Sequence, residues 1–280
     1  MLIGYNTPLR NLDSLSVTRI EPSQQGVTTT LDAQASPLID GNPGTVERLT
    51  VGADTGAGGE KLIIDAEYGL SGIPRIAALL NTTLPAGTLV SIEYGETSSS
   101  WGYQQQSARV QVTPNGRRNL WMVWPAGLNG VVRVRVIIYN DVEGGGSLNQ
   151  PAYDIGQLWV SPAWEPPFGV RRDWPTKWVD PSDPAATLRG DVFDFPAEQY
   201  REMSLRFGRM PFDVAYGPNG LAAIRPHLAK GQRCAILPRP TTTEALHATS
   251  IFGHVSDPGS IQHQGGDYFD SALTVRELVG

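Results

Sequence analysis

The sequence predicts an all-β protein, with an N-terminal jelly-roll sandwich followed by a smaller β-rich domain. Three observations carry this. Residues 131–139 read VVRVRVIIY, so Val132, Val134 and Val136 share one face and Arg133 and Arg135 the other. Period-two alternation of β-branched residues marks a strand with one face in a core and one in water. Turn sequences recur at short intervals, among them Gly41-Asn42-Pro43-Gly44, Pro85-Ala86-Gly87, Pro114-Asn115-Gly116 and Gly144-Gly145-Gly146. Such spacing separates short strands rather than helices. Finally, the 31 Gly and 22 Pro make up nearly a fifth of the 280 residues without a collagen period, a composition of many turns between short elements.

In chain order, strands are expected at 15–20, 46–51, 61–68, 75–80, 89–94, 108–112, 120–124, 131–139 and 153–160. Residues 76–80 also read as a helix fragment, because Ala and Leu favour helices. The strands 120–124 and 131–139 are separated by a loop ending in Asn129-Gly130, a pair suited to positive φ, and are expected to pair antiparallel. Trp121 or Trp124 would then supply much of the core's apolar area.

After Pro162 the texture changes. Residues 162–183 are rich in Pro and Trp, so this stretch is expected to be extended or looped. Its tryptophans, Trp164, Trp174 and Trp178, are expected to pin it against a domain surface or a neighbouring subunit. Further strands are expected at 187–195, 201–207, 233–237, 250–255, 260–263 and 272–278, with a short helix near 221–224. The resulting division is an N-terminal arm (1–14) that could reach an adjacent subunit, a sandwich (15–162), a Trp/Pro-rich connector (163–186) and a C-terminal β-rich domain (187–280).

Composition excludes several functions. A net charge of −6 with scattered basic residues argues against binding a phosphate backbone, which needs clustered Lys and Arg. The single cysteine, Cys234, precludes an internal disulfide and fits a chain that folds in the cytoplasm. The start of the sequence lacks the basic-then-apolar pattern of a secretory signal, and no apolar run reaches the ~18 residues of a membrane-spanning helix.

Candidate chemistry is sparse, and no cofactor is expected. There is no Gly-x-Ser-x-Gly elbow and no His-Glu-x-x-His pair, so neither common catalytic pattern is present. Cys234 sits in a strand pattern as a small core residue. His254, Asp257, His263 and Asp267 cluster along the chain without a ligand spacing, and Asp257-Pro258-Gly259 reads as a turn. Asp40 and Asn42 are weak calcium candidates, since calcium needs six to eight oxygens and the turn alone explains the loop. Asp65 and Glu67 share one strand face, as a solvent-facing side requires. Trp101 and Tyr103, in a polar loop after the 89–94 strand, form a possible sugar platform. The connector residues Trp164, Phe168, Arg171, Arg172, Trp174 and Trp178 have the aromatic and arginine composition of an assembly interface.

Two resemblances follow from these residues. Leu38-Ile39-Asp40-Gly41-Asn42, the strands 46–51 and 62–65, and the closing strands 131–139 and 153–160 resemble discoidin-like sandwiches, in which an Asp-Gly-Asn turn precedes a strand. The family's usual Trp after that turn and its flanking disulfide are absent. Residues 150–280 look like minor tail or tail-tip proteins of tailed bacteriophages. The residues that carry this are Ile155-Gly156-Gln157-Leu158-Trp159-Val160, the Trp/Pro connector, Ile251-Phe252-Gly253-His254-Val255 and a last strand ending at Glu277. That resemblance implies a non-enzymatic component of the virion tail, made in the host cytoplasm. It would dock on copies of itself and on other tail or baseplate proteins in a symmetric ring. A carbohydrate-binding module for attachment to a host-surface glycan is the alternative. Neither reading expects a nucleic-acid partner or a membrane span.

Overall fold

The computed structural model describes residues 1–5, 12–20, 26–33, 35–51, 59–72, 74–95, 104–114, 116–125, 131–167, 170–186, 192–195 and 197–279. It is mostly β, and its chain divides into two compact units. One unit comprises residues 6–163 and 240–249, the other residues 1–5, 164–239 and 250–279. The short strand β1 (Leu2–Gly4) belongs to the second unit, where it pairs antiparallel with a strand at Arg233–Leu237. The start of the expected N-terminal arm is therefore a strand paired within its own chain. Its three residues are fully covered, and burial of an apolar Leu-Ile pair outweighs the freedom an arm would keep.

The first unit is a sandwich. Its strands are β2 (Leu12–Ile20), β3 (Gly26–Leu31), β4 (Glu47–Thr50), β5 (Glu60–Gly72), β6 (Ile76–Thr82), β7 (Thr88–Gly95), β8 (Gln104–Arg109), β9 (Gln111–Val112), β10 (Arg118–Val123), β11 (Val131–Val142) and β12 (Ala152–Ser161). Among the described residues they form a six-stranded sheet, β3-β2-β5-β11-β7-β8, and a five-stranded sheet, β4-β12-β6-β10-β9. Both give their inner faces to one core. Leu15, Ile64, Val136 and Ile92 come from the larger sheet, and Leu49, Leu158, Leu79 and Leu120 from the smaller. Every ladder is antiparallel, as tight turns allow.

The alternation in β11 is realised in three dimensions. Val134, Val136 and Ile138 are buried in the core, while Arg133 and Arg135 lie on the outer face. Register sets Arg133 opposite Glu67 and Arg135 opposite Asp65, and both pairs close as ion pairs at 2.8 Å. The expected pairing of residues 120–124 with 131–139 does not occur: β10 pairs with β6, and β11 lies in the opposite sheet between β5 and β7. The chain crosses between sheets after β10, as sandwich connections commonly do. Residues 76–80 are strand, because β6 is the central strand of its sheet and ladder bonding on both sides outweighs the helix preference of Ala and Leu.

The second unit contains β14 (Arg171–Asp173), β15 (Thr176–Val179), β16 (Asp183–Ala186), β17 (Val192–Phe195), β18 (Tyr200–Pro211), β19 (Arg233–Leu237), β20 (Ile251–Asp257), β21 (Ile261–Gly265) and β22 (Tyr268–Glu277), and β13 (Ala163–Trp164) straddles the division and joins its sheet. Helices α1 (Phe212–Tyr216) and α2 (Leu221–Ile224) follow β18. The main sheet runs β13-β1-β19-β20-β22-β18-β14, with β15 also on β18 and β21 on β22. The connector is thus stitched into this sheet. β14 and β15 pair along β18 on either side of Trp174-Pro175, and the Pro175 carbonyl accepts the Ser204 N–H at 3.0 Å. A proline that lacks its own donor is compatible with such an edge strand.

One buried ion pair anchors this unit. Arg201 of β18 and Glu277 of β22 are both almost completely covered. The Arg201 backbone N–H and Nε donate to Glu277 Oε2 at 3.1 and 2.9 Å, and Nη2 donates to Oε1 at 2.5 Å and to the Ser250 carbonyl at 2.8 Å. A buried pair breaks even only when its hydrogen-bonding capacity is filled in this way. Glu277→Ala is expected to lower stability by about 3–5 kcal/mol, because Arg201 is left charged and buried. An Arg201→Met/Glu277→Leu double variant should recover most of that loss in chemical denaturation.

A third helix, α3 (Thr243–Thr249), belongs to the sandwich unit although β19 and β20 flank it in sequence. Its His247 is buried. Nδ1 donates to the Thr243 carbonyl at 2.8 Å, which leaves Nε2 to accept the Trp121 backbone N–H at 3.1 Å. Burial lowers the His247 pKa below its ordinary 6.5, against the smaller raising effect of the Thr243 bond. The folded state therefore selects the neutral ring. The stabilisation is complete above about pH 6.5 and is lost as pH falls through that value toward the lower folded pKa. His247→Ala, which strands the Trp121 N–H, is expected to cost about 1–3 kcal/mol. It should also flatten stability between pH 7 and pH 5 in thermal melts, whereas the parent loses stability over that interval.

Candidate docking surface

The connector residues separate once placed. Trp164 is buried in its own unit, edge-on to Phe207 with ring centroids 5.4 Å apart, and its Nε1–H donates to the Asn219 carbonyl at 3.1 Å. Trp174 is half-buried and packs on the same core. Trp164 is thus a core residue of the unit, and Trp174 is partly covered against that core. Arg171 is exposed, Arg172 is half-covered, and Trp178 is 49% exposed. Phe168 lies outside the described residues. In β15 the side chains of Lys177 and Glu202 form an ion pair at 2.7 Å across the β15–β18 ladder.

A different aromatic surface lies where β18 runs into α1 and where β22 begins. Phe212 and Tyr216 sit four residues apart on α1, a spacing that puts them on one helix face. They are 62% and 45% exposed, and Tyr268 at the start of β22 is 45% exposed. Phe269 joins them, with centroids 6.1 Å from Phe212 and 5.2 Å from Tyr216. Arg209 lies over Tyr268, its guanidinium carbon 5.7 Å from the ring centroid. The Arg209 backbone has φ 58°, at a register break in β18 between Phe207 and Met210. The Asp270 carboxylate accepts its N–H at 3.0 Å. A non-glycine residue held there costs roughly 1–3 kcal/mol, which surrounding contacts must offset. The bulge turns Arg209 toward a cavity of about 470 Å³ whose wall includes Val170, Val214, Asp213 and Tyr268.

This cluster was not anticipated. The sequence signal was the Phe212–Tyr216 spacing next to Pro211, obscured by the absence of any longer helical period. Large exposed aromatics beside an arginine are the composition of interface hot spots, and rings already packed on one another lose little freedom on binding.

The other sequence candidates resolve individually. The Asp40 loop is a self-capped turn. Asp40 Oδ1 accepts the Asn42 N–H at 2.6 Å, Asp40 Oδ2 accepts the Thr45 hydroxyl at 2.5 Å, and Asn42 Oδ1 accepts the Gly44 N–H at 3.1 Å. Buried Gln157 fixes the loop to β12: its Oε1 accepts the Gly41 N–H at 2.7 Å and its Nε2 donates to the Leu38 carbonyl at 2.9 Å. Asp40 and Asn42 therefore serve the turn. Among the described residues no group of three or more His, Cys, Asp or Glu converges as a metal site would require. In the C-terminal hairpins, Asp257 accepts the Gly259 N–H at 2.8 Å, closing the expected turn, and His263 Nε2 contacts the Gly266 carbonyl at 2.6 Å. Cys234 is fully buried, and burial pushes its thiol up to about 12, so it is no nucleophile. On the outer face of the six-stranded sheet, burial raises the pKa of Glu93 against the lowering effect of Arg135. Gln105 donates to the Ser91 hydroxyl there at 2.7 Å. Trp101 and Tyr103 lie outside the described residues, in the connection between β7 and β8.

No protein-family model and no curated protein matches this chain. Among solved structures it has distant similarity to CBM32 β-sandwich domains. One is a CpGH89CBM32-6 protein produced by Clostridium perfringens, with 16% identity and a TM-score of 0.32, covering 55% of this chain and 98% of that one. A second is CBM32-3 from a family 31 glycoside hydrolase of Clostridium perfringens, with 13% identity and a TM-score of 0.33, covering 45% and 80%. A third, described as a glycoside hydrolase, has 15% identity and a TM-score of 0.32 over 54% of this chain and 31% of that one. At these scores the likeness carries no functional argument.

Proposed function

We propose that this protein works by docking rather than by turnover, as a structural component of a bacteriophage tail tip or baseplate. One observation supports the reading most: the exposed cluster of Phe212, Tyr216 and Tyr268 with Arg209 over the last ring. Aromatics and arginine dominate the binding energy of protein interfaces, and a partner's apolar side chain inserted beside Val170 and Val214 would be desolvated on all sides. The tail assignment itself comes from the sequence resemblance of residues 150–280. The test is virion mass spectrometry on particles complemented with a Phe212→Ser/Tyr268→Ser variant. Loss of one hot-spot residue weakens binding by about 2 kcal/mol or more, roughly 30-fold. The variant is therefore expected to fold normally, by unchanged melting temperature, and to be depleted from particles. Incorporation equal to the parent's would sink the role of this surface, and absence of the parent protein from purified particles would sink the tail reading.

Carbohydrate binding by the sandwich is the second reading. It is favoured by the polar outer face of β7 and β8, where Glu93 stands opposite Gln105, and by the aromatic residues Trp101 and Tyr103 in the sequence that links the two strands. Hydrogen-bonding side chains combined with aromatic ones suit a sugar's hydroxyls and its apolar face. On a glycan array the parent should retain a defined glycan class and Trp101→Ala should lose it. An array blank for both proteins rejects this reading without touching the first.

A further inference from the structure

We propose that the free edge of β3 is a strand-addition site, and that its occupant is the β3 of a second copy of this chain. The argument starts from how the sandwich edges are protected. An edge strand presents unpaired backbone donors and acceptors, and natural edges are blunted by charge, proline or shortness. Among the described residues the five-stranded sheet ends in β4, which carries Glu47 and Arg48, and in the two-residue β9; the six-stranded sheet ends on one side in β8, which carries Arg109. The remaining edge, β3, reads Gly-Val-Thr-Thr-Thr-Leu. It has no charge and no proline, and its first five residues are exposed.

Its side chains are sorted by its pairing with β2. Val17 stands opposite Thr29, Leu15 opposite Leu31 and Arg19 opposite Val27, and Leu15 and Val17 face the core. Val27, Thr29 and Leu31 therefore lie on the inner face, with Thr28 and Thr30 on the outer. This inner face is not closed over. A groove of about 140 Å³ opens between β3 and β4, its apolar wall of Val17, Val27, Leu31 and Leu49 meeting the charged Arg19, Glu47 and Arg48. Val27 is 43% exposed there. Among the described residues β3 has no strand partner beyond β2, and the groove opens along that same flank.

The occupant follows from the strand's own sequence. In an antiparallel pair, directly opposite residues share a face. Two β3 strands aligned about Thr29 would place Thr29 against Thr29, Thr28 against Thr30 and Val27 against Leu31. Inner residues then meet inner and outer meet outer, threonine meets threonine and an apolar residue meets an apolar residue. No like charges face each other. Thr–Thr and β-branched cross-strand pairs are favourable, and a two-fold axis through Thr29 makes the contact isologous. The strand spans roughly 20 Å, and the product is one sheet continuous across two molecules. This contact involves only the sandwich unit and does not depend on the tail reading, which concerns the aromatic surface of the other unit.

The contact is small. A six-residue strand pair falls short of the ~1,200 Å² of a stable interface, so Kd is expected at roughly 10–100 μM in isolation. Light scattering of the full chain across that range should show a monomer–dimer equilibrium. Thr29→Lys, which sets two ammonium groups against each other on the axis, should weaken it more than tenfold while leaving the melting temperature unchanged. Thr29→Cys should form a covalent dimer under mild oxidation, because opposed Cα atoms ~4.5–5.5 Å apart suit a disulfide. Thr50→Cys, exposed on β4, should not. Buried Cys234 does not compete. A parent that stays monomeric throughout, with Thr29→Cys cross-linking no more than Thr50→Cys, overturns the proposal. A dimer indifferent to Thr29→Lys also overturns it, since another surface would then hold the copies together. Particle incorporation reads the tail assignment separately.

Discussion

The sandwich depends on one constraint, the strict alternation of side chains along β11. Because a strand sends successive residues to opposite faces, Val134, Val136 and Ile138 commit the strand to the core while Arg133 and Arg135 are committed to the other side. A slip of one residue would exchange these sets, burying two guanidinium groups and exposing three branched chains. The penalty for that exchange fixes the register of β11. Through β11 it also fixes β5 and β7, because Arg133 and Arg135 must meet Glu67 and Asp65 on one neighbour while Val136 meets Ile92 on the other. The ion pairs are about a quarter exposed and individually weak. They specify alignment more than they add stability.

The C-terminal unit reaches the same end by a different route. Its sheet is fastened by a buried charge pair, Arg201 with Glu277, that joins β18 and β22. Glu277 accepts from the Arg201 backbone N–H, Nε and Nη2, and Nη2 also donates to the Ser250 carbonyl. Such a site is intolerant of single changes and indifferent to exposed ones. The surface nearby can therefore carry Phe212, Tyr216 and Tyr268 in water without threatening the core beneath them.

The sequence made the class legible, along with the placement of most strands, because alternation and turn residues are local signals. Partnership is not local. Nothing in residues 120–124 states that β10 pairs with β6 and not with β11. β3 escaped notice for a physical reason: a strand exposed along its length has no apolar stripe, so Gly-Val-Thr-Thr-Thr-Leu carries no period to find. Helix α3 was missed because Thr-Glu-Ala-Leu-His-Ala-Thr is two turns long and buries chiefly Leu246 and His247. The connector tryptophans were expected to pin the segment against a domain surface or a neighbouring subunit, and Trp164 packs on Phe207 while Trp174 packs on the same core. The exposed aromatics instead stand on a five-residue helix and a hairpin, where only the three-dimensional fold gathers them.

The membership of α3 has a consequence for how the chain matures. Residues 240–249 complete the sandwich, and residues 1–5 complete the other unit. Neither body can be excised as one uninterrupted piece. A nascent chain that has left the ribosome as far as β12 still lacks the imidazole that receives the Trp121 amide. The first three-residue strand must wait for a partner more than two hundred positions downstream. Long sequence separations of this kind slow folding. Residues 6–163 thus emerge with an open seam that only residues 240–249 can close.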